Sequence, residues 1–120
     1  LVTRDSVAAA LTPRTRVVAV SWVQFLSGVR CDLAGIARVC RAHGAFLVVD
    51  AIQGLGALRL DAAHADAVAT GTQKWMGAMQ GMGLVYVSDA LLARLRPLVG
   101  WLNGPVDWDD FEASATAPIT

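Results

Sequence analysis

The sequence lacks the features that mark membrane-spanning and nucleic-acid-binding proteins. No apolar run approaches the roughly 20 residues of a membrane span. The 10 basic and 10 acidic residues of the 120-residue chain cancel and are scattered along it, whereas a nucleic-acid binder concentrates basic residues in a patch or stripe. We therefore expect neither a membrane nor a nucleic acid as a partner, and we expect small-molecule chemistry instead.

Cysteine is also scarce, with two residues in the chain. Cys31 and Cys40 bracket one predicted helix, and nine residues of helix rise by about 13 Å. The Cα atoms of a disulfide lie within about 7 Å, so we expect no bridge between them and reduced cysteines, as in a cytoplasmic protein. The chain starts without methionine and ends in an irregular stretch. We expect residues 1–120 to be a single segment of a larger domain, incomplete at both ends.

Several catalytic and binding motifs are missing as well. The glycines within residues 54–56 and 77–83 complete neither the dinucleotide motif G-x-G-x-x-G nor a Walker-type loop. No serine lies in a G-x-S-x-G turn. His43 and His64 have no acidic or cysteine neighbours at ligand spacing, so we expect no metal site and structural roles for both. An ordinary mononucleotide-binding domain is therefore a poor interpretation.

What the sequence has is a high apolar content arranged in short runs. Apolar residues make up 55% of the chain, above the ~45–50% of an average soluble domain. Strands are predicted at residues 17–21, 45–49, 65–69 and 83–87, and helices at 5–11, 31–43 and 89–96. The central helix has Asp32 as its N-cap and Gly44 as its C-terminal stop. The tail after Gly100 has no clear period and predicts a loop packed on another surface.

Strand, helix and strand in this order predict a right-handed crossover between parallel strands. Because the apolar runs do not alternate with polar residues, we expect a parallel sheet covered on both faces. The fold class is therefore α/β, a mostly parallel sheet with flanking helices. Such sheets bind ligands beyond the carboxyl ends of their strands. The polar residues that follow the first three predicted strands are Gln24, Asp50, Gln53, Thr72, Gln73 and Lys74.

Two of these residues carry charge. Asp50 ends an apolar run, so we expect it to be largely desolvated, which requires a cation or a hydrogen-bond donor beside it. In isolation it is as compatible with a helix N-cap or a structural ion pair as with a functional carboxylate. Lys74 lies between a small polar loop and apolar residues, where an amine can become nucleophilic. By itself, however, a lysine in such a place is more commonly a solvated surface residue.

Residues 48–54 and 70–75 together resemble two segments of the class V aminotransferases. The Asp-x-x-Gln pattern of Asp50 and Gln53 is similar to the cofactor-binding aspartate segment, and Lys74 to the Schiff-base lysine. Residues 23–28 and 81–87 are similar to the cofactor-side loop and to the strand after the lysine. The group includes cysteine desulfurases, alanine–glyoxylate and serine–pyruvate aminotransferases and isopenicillin-N-epimerase-like proteins.

This resemblance implies the large domain of a fold-type-I enzyme, aspartate aminotransferase-like, with pyridoxal 5'-phosphate (PLP) as cofactor. Asp50 would pair with the protonated ring nitrogen, and Lys74 would hold PLP as an internal aldimine and then move the proton at the substrate Cα. Gln53 would hydrogen-bond the phenolic oxygen, with Gln24 as a weaker candidate nearby. Thr72 and Gln73 would lie towards the phosphate.

The resemblance also bears on the reaction. Gln73 stands where desulfurases carry histidine, which favours aminotransferase chemistry on an amino acid and a keto acid. Cysteine desulfurase, epimerase and lyase activities of the same family remain alternatives, and a non-catalytic α/β scaffold is the alternative from another class. The family implies a homodimer. The loop that binds phosphate and the arginine that binds the substrate carboxylate are absent from these 120 residues, so the piece alone should be a poor catalyst.

Overall fold

The fold is a four-stranded sheet with helices against one face, in a computed structural model that describes residues 1–95. Its elements are α1 (Arg4–Ala10), β1 (Val17–Ser21), α2 (Leu33–His43), β2 (Phe46–Asp50), a 3₁₀ turn (Ala62–His64), β3 (Ala67–Gly71), β4 (Gly83–Val87) and α3 (Asp89–Leu92). The strands lie in the order β1-β2-β3-β4, with β1, β2 and β3 parallel and β4 antiparallel to β3. The α/β class and the mostly parallel sheet are confirmed.

The strand boundaries follow the sequence prediction closely. β1 and β4 have the predicted ends, β2 begins one residue later than predicted, and β3 begins two residues later. The shift of β3 arises because the chain first makes the 3₁₀ turn, in which the Ala65 N–H donates to Ala62 O at 3.0 Å. α3 ends at Leu92, before the predicted end at residue 96. The tail after Gly100 lies outside the described residues.

α2 has the two caps that the sequence predicts. The Asp32 carboxylate accepts a hydrogen bond from the Gly35 N–H at 2.9 Å, and Gly44 ends the helix in the left-handed conformation with φ 73°. These groups satisfy backbone donors and carbonyls that a helix end leaves unpaired. α2 has 11 residues, and no helix within residues 1–95 is long and apolar enough to cross a membrane.

The core lies between α2 and the sheet. Ile36 and Cys40 of α2 and Leu47 and Val49 of β2 are the largest fully buried side chains. The two β2 residues are two apart and therefore point to the same face of the strand. The apolar side chains whose spacing predicts α2 and those of the apolar run that predicts β2 are thus buried against each other.

The opposite face of the sheet is exposed within residues 1–95. Strand register places these residues on it, here called the open face: Val17, Ala19, Ser21, Phe46, Val48, Asp50, Ala67, Ala69, Gly71, Gly83, Val85 and Val87. Ala67 is its buried member, at 9% exposed. Val17 is 52% exposed and Val85 is 71% exposed. The expectation of a sheet covered on both faces is therefore wrong for the described part of the chain, because α2 packs on one face alone. The open face is apolar except at Ser21 and Asp50.

Candidate functional site

Three loops leave the carboxyl ends of β1, β2 and β3 at one edge of the sheet. They comprise residues 22–32, 51–61 and 72–82. Parallel pairing aligns Ser21 with Asp50, and Asp50 with Ala69, so the three strand ends are neighbours. The polar residues that the sequence analysis selected all lie in these loops or at the end of β2. The parallel pairing of β1, β2 and β3 therefore brings these residues to one edge of the sheet, as the sequence predicts.

The three loops also touch one another. A Cβ built on Gly54 would lie 2.5 Å from Cε3 of Trp22, so the second loop packs against the first. A Cβ built on Gly56 would lie 2.7 Å from the carbonyl carbon and oxygen of Trp75, the residue after Lys74. Glycine is required at both positions because a side chain would overlap the neighbouring loop. The loop of residues 72–82, here called the lysine loop, is thus in van der Waals contact with the loop that follows Asp50.

Asp50 ends β2 with its carboxylate on the open face, where the residue is exposed. Its Oδ1 accepts a hydrogen bond from the Ile52 N–H at 2.9 Å, and its Oδ2 accepts one from the Ser21 hydroxyl at 3.4 Å. The expectation that the Asp50 carboxylate is largely desolvated is wrong for the described part of the chain. Side chains alternate between the two faces of β2, so Leu47 and Val49 point towards α2 and Asp50 points away from it. The required partners are a hydroxyl and a backbone N–H, and sequence reasoning did not identify Ser21 as one of them.

A groove of about 220 Å³ lies beside Asp50 at the ends of β2, β3 and β4. It is lined by Asp50, Ile52, Ala69, Thr70, Gly71, Gly83, Leu84 and Val85. Asp50 is the only ionisable residue in this lining, and the small residues Ala69, Gly71 and Gly83 leave the space open. Gly83 cannot be replaced without movement, because a Cβ there would lie 2.9 Å from Thr70 O. The groove therefore combines small, mostly apolar walls with one carboxylate.

Lys74 lies in the third loop, outside the lining of that groove. Its Nζ is 5.4 Å from the centroid of the Phe25 ring, which belongs to the first loop. The backbone turns directly after it, with the Gly77 N–H donating to Lys74 O at 3.1 Å. Lys74 is the only lysine in the 120-residue sequence. Sequence reasoning missed the contact of Phe25 with Lys74, and the available signal was the one aromatic residue within residues 23–29.

The three glutamines of the predicted site differ in what their side chains contact. Gln24 Oε1 accepts hydrogen bonds from the Ser27 N–H at 2.7 Å and from the Ser27 hydroxyl at 3.0 Å, so it closes its own loop. Gln53 is half-buried, and Gln73 is exposed with its amide folded against Gly71. Gln53 and Gln73 have no side-chain hydrogen-bond partner among residues 1–95, which leaves both amides available to a ligand.

Thr72 is buried and organises the lysine loop from inside. Its hydroxyl is 2.8 Å from Met79 O and 3.3 Å from Met82 O, so its single proton is shared within the loop. Its backbone adds bonds from the Ala78 N–H to Thr72 O and from the Thr72 N–H to Met82 O. The phosphate contact that the resemblance implies for Thr72 stays a prediction. What the structure gives is a residue that closes residues 72–82 into a defined loop.

Cys31 and Cys40 are both free and buried, which confirms that they do not bridge each other. Burial raises the pKa of the Cys31 thiol. Burial, together with the negative charge of Asp66, raises the pKa of the Cys40 thiol. The thiolate is the nucleophile of cysteine chemistry, and a raised pKa lowers its fraction. Neither described cysteine suits the nucleophile that the desulfurase alternative requires.

The two histidines have structural contacts. His43 Nε2 lies 2.7 Å from Thr12 O and ties the end of α2 to the loop before β1. His64 Nε2 lies 3.5 Å from the Asp61 carboxylate at the 3₁₀ turn. Within residues 1–95, no three His, Cys, Asp or Glu side chains are grouped so that they could hold a metal ion.

Comparison with known proteins gives a consistent family match. The family model described as Aminotransferase class-V matches residues 1–103 of this chain. That range covers the four strands, the three loops and every residue that the sequence analysis selected for the site. The match therefore bears on the whole described structure.

Two relatives and one solved structure illustrate the similarity. 2-Aminoethylphosphonate–pyruvate transaminase 2 of Polaromonas sp. is 38% identical over 68 residues, which are 55% of this chain and 18% of that protein. A cysteine desulfurase of Gluconacetobacter diazotrophicus is 30% identical over 97 residues, 79% of this chain and 24% of that protein. The structure of a C-DES mutant with glycine covalently linked to its PLP cofactor superposes with a TM-score of 0.78 and 29% identity, over 88% of this chain and 29% of that one. The chain spans less than a third of each protein.

Proposed function

Because this chain belongs to the class-V aminotransferase family, we propose that it is a segment of the large domain of a PLP-dependent aminotransferase of fold type I. The proposed reaction moves an amino group between an amino acid and a keto acid. The observation that carries the proposal is the contact between the loop after Asp50 and the loop of Lys74, made by Gly56 and Trp75 at the carboxyl edge of the sheet. This contact keeps a carboxylate and a single lysine at the same edge.

The residues present fit the chemical groups of PLP. Its ring nitrogen is cationic when protonated, and Asp50 offers an exposed carboxylate with two hydrogen bonds accepted. Since a carboxylate can accept about four, Asp50 has capacity for a further donor. The groove beside it has the small walls of Ala69, Gly71 and Gly83 that a flat ring needs. The cofactor aldehyde requires an amine, which Lys74 supplies.

Each residue then has a defined task. When bound, PLP supplies an electron-accepting ring for the substrate Cα. Asp50 pairs with the ring nitrogen and keeps it protonated, while the Ser21 hydroxyl and the Ile52 N–H hold the carboxylate in place. Lys74 would hold the cofactor through Nζ, and the same amine would move the proton at the substrate Cα.

The amides and Thr72 take supporting tasks. Gln53 donates to the ring oxygen, and Gln73 lies towards the phosphate; both tasks are supported by amides that have no partner among residues 1–95. Gln24 and Thr72 act through the loops that they close, since their oxygens are engaged by Ser27 and by loop carbonyls. Gln24 thereby contributes to cofactor binding by fixing the first loop, and Thr72 by fixing the third.

We also propose a second copy of the chain as partner and the cytoplasm as compartment. The homodimer is supported by the apolar residues of the open face, of which Val17 and Val85 are more than half exposed within residues 1–95. Such apolar surface is typical of regions that another protein segment covers. The cytoplasm is supported by two reduced cysteines that do not bridge. Size-exclusion chromatography with light scattering would measure the oligomer directly.

The test is borohydride trapping of the cofactor. The protein is incubated with PLP, reduced with borohydride and analysed by peptide mass spectrometry. We expect one pyridoxyl adduct, on Lys74, and none on that peptide in Lys74→Ala. Asp50→Asn keeps the shape of the side chain and removes its charge, so it should keep the fold and weaken cofactor binding. An adduct absent from Lys74 in the wild-type protein would overturn the assignment and favour the scaffold alternative.

A further inference from the structure

Phe25 is held at the tip of a tight turn in the first loop. The Gln24 N–H donates to Val29 O at 2.9 Å, and the Gly28 N–H donates to Gln24 O at 2.8 Å. Gly28 has φ +69°, a conformation that favours glycine. The turn is therefore fixed by backbone hydrogen bonds rather than by burial of its side chains. Phe25 is 74% exposed, so its ring is accessible from the edge of the sheet.

The ring of Phe25 faces the amine of Lys74 from across the edge of the sheet. The Nζ-to-centroid distance of 5.4 Å lies within the ~6 Å range in which an ammonium is attracted to the negative face of an aromatic ring. Among residues 1–95 the amine makes no salt bridge. Phe25 is thus the group that the described structure offers to the lysine. The neighbouring Leu26 is 85% exposed and has no comparable partner.

We propose that Phe25 is a positioning residue for Lys74. The face of its ring holds the ammonium at the carboxyl edge of the sheet while the amine is not engaged by the cofactor. The inference rests on the proposed function, because a held amine matters only if Lys74 binds PLP. Ring–cation attraction at an exposed site favours the ring-bound arrangement by about two- to fivefold over the alternatives. Without the ring, a four-carbon side chain would spread over its rotamers.

The attraction depends on ring electrons, which separates it from simple packing. Phe25→Leu keeps an apolar side chain and removes the ring. Phe25→Trp keeps an aromatic face. Pentafluorophenylalanine at position 25 keeps the shape of the ring and removes its negative face, so packing survives and attraction does not. Since Phe25 is largely exposed, all three changes leave the core between α2 and the sheet untouched.

The experiment is NMR on cofactor-free protein carrying ¹³C-labelled lysine. Lys74 is the only lysine of the sequence, so its ε-methylene gives one signal. In the wild type and in Phe25→Trp, we expect ring currents to move this signal upfield from that of the urea-unfolded chain. In Phe25→Leu, which has no ring, we expect the upfield shift to be lost. In the pentafluoro variant, we expect the shift to fall as the ring-bound population drops by about two- to fivefold. Leu26→Ala is the matched control and should leave the signal unchanged.

Two results would overturn the positioning role. One is a wild-type Lys74 signal at the unfolded position, and the other is a pentafluoro variant that keeps the full upfield shift, since packing alone would then hold the amine. Borohydride trapping distinguishes this failure from that of the proposed function. An adduct on Lys74 without the upfield shift removes the role of Phe25 alone. An upfield shift without any adduct on Lys74 would overturn the proposed function, and the contact with Phe25 would then have no role in cofactor binding.

Discussion

Gly56→Ala tests the contact between the loop after Asp50 and the lysine loop. Gly56 has φ +97°, and a Cβ there would lie 2.7 Å from the Trp75 carbonyl and 2.9 Å from the Met76 nitrogen. The strained φ costs about 1–3 kcal/mol, and forcing a methyl group against backbone atoms costs about 1–3 kcal/mol more. Since the loop can relax in part, we expect a loss of about 2–4 kcal/mol in the free energy of unfolding.

Gly44→Ala is the matched control for that substitution. Gly44 has φ +73°, and a Cβ there meets nothing within 4 Å. Gly44→Ala should therefore lower the free energy of unfolding only by the cost of a left-handed backbone at alanine, about 1–2 kcal/mol. Urea unfolding of both variants gives the difference, and borohydride trapping gives the functional consequence. Gly56→Ala should trap less PLP because Lys74 is displaced with Trp75, whereas Gly44→Ala should trap a wild-type amount. Equal destabilisation with equal trapping would refute the loop contact.

Further predictions concern the core, the helix cap and the thiols. Ile36 is fully buried, so Ile36→Ala should lower the free energy of unfolding by about 2–5 kcal/mol in urea titration. Asp32→Ala removes the bond to the Gly35 N–H and should cost about 0.5–2 kcal/mol; no change in helix stability by circular dichroism would contradict the cap. The pKa of the Cys31 and Cys40 thiols in the folded protein lies above the ordinary value of 9.0. The contribution of the two protonated thiols to the free energy of unfolding is therefore fully present below pH 9.0 and is lost as pH rises through the folded pKa values. Unfolding free energy should therefore fall in that alkaline range, and a double serine variant should lose the dependence.

Local sequence rules predicted the elements of this fold well. Asp32, Gly44 and the apolar spacing between them fixed α2, because capping and periodicity act within a few residues. β1 and β4 were bounded by changes in composition that coincide with the strand ends. The start of β3 was predicted two residues early because Ala65 and Asp66 directly adjoin the apolar run of the strand. The preceding 3₁₀ turn depends on hydrogen bonds that composition does not reveal.

The sequence predicted that the candidate residues lie at one edge of the sheet, but it did not predict their contacts. The position of Asp50 and Lys74 after successive strands followed from the rule that parallel strands end at one edge. That Ser21 donates to Asp50 depends on register between β1 and β2, which no local pattern encodes. That Thr72 donates within its own loop depends on the path of residues 72–82.

By itself, the sequence determined the order and type of the elements, the family resemblance and the one lysine to which the proposed function assigns the cofactor. Only the tertiary structure decided which face of the sheet is open, that Asp50 lies exposed on it, and that the Lys74 amine faces Phe25. The reason is physical. Helix caps and hydrophobic periods are set by neighbours along the chain, whereas a carboxylate's exposure and an ammonium's partner are set by residues brought together from different strands and loops.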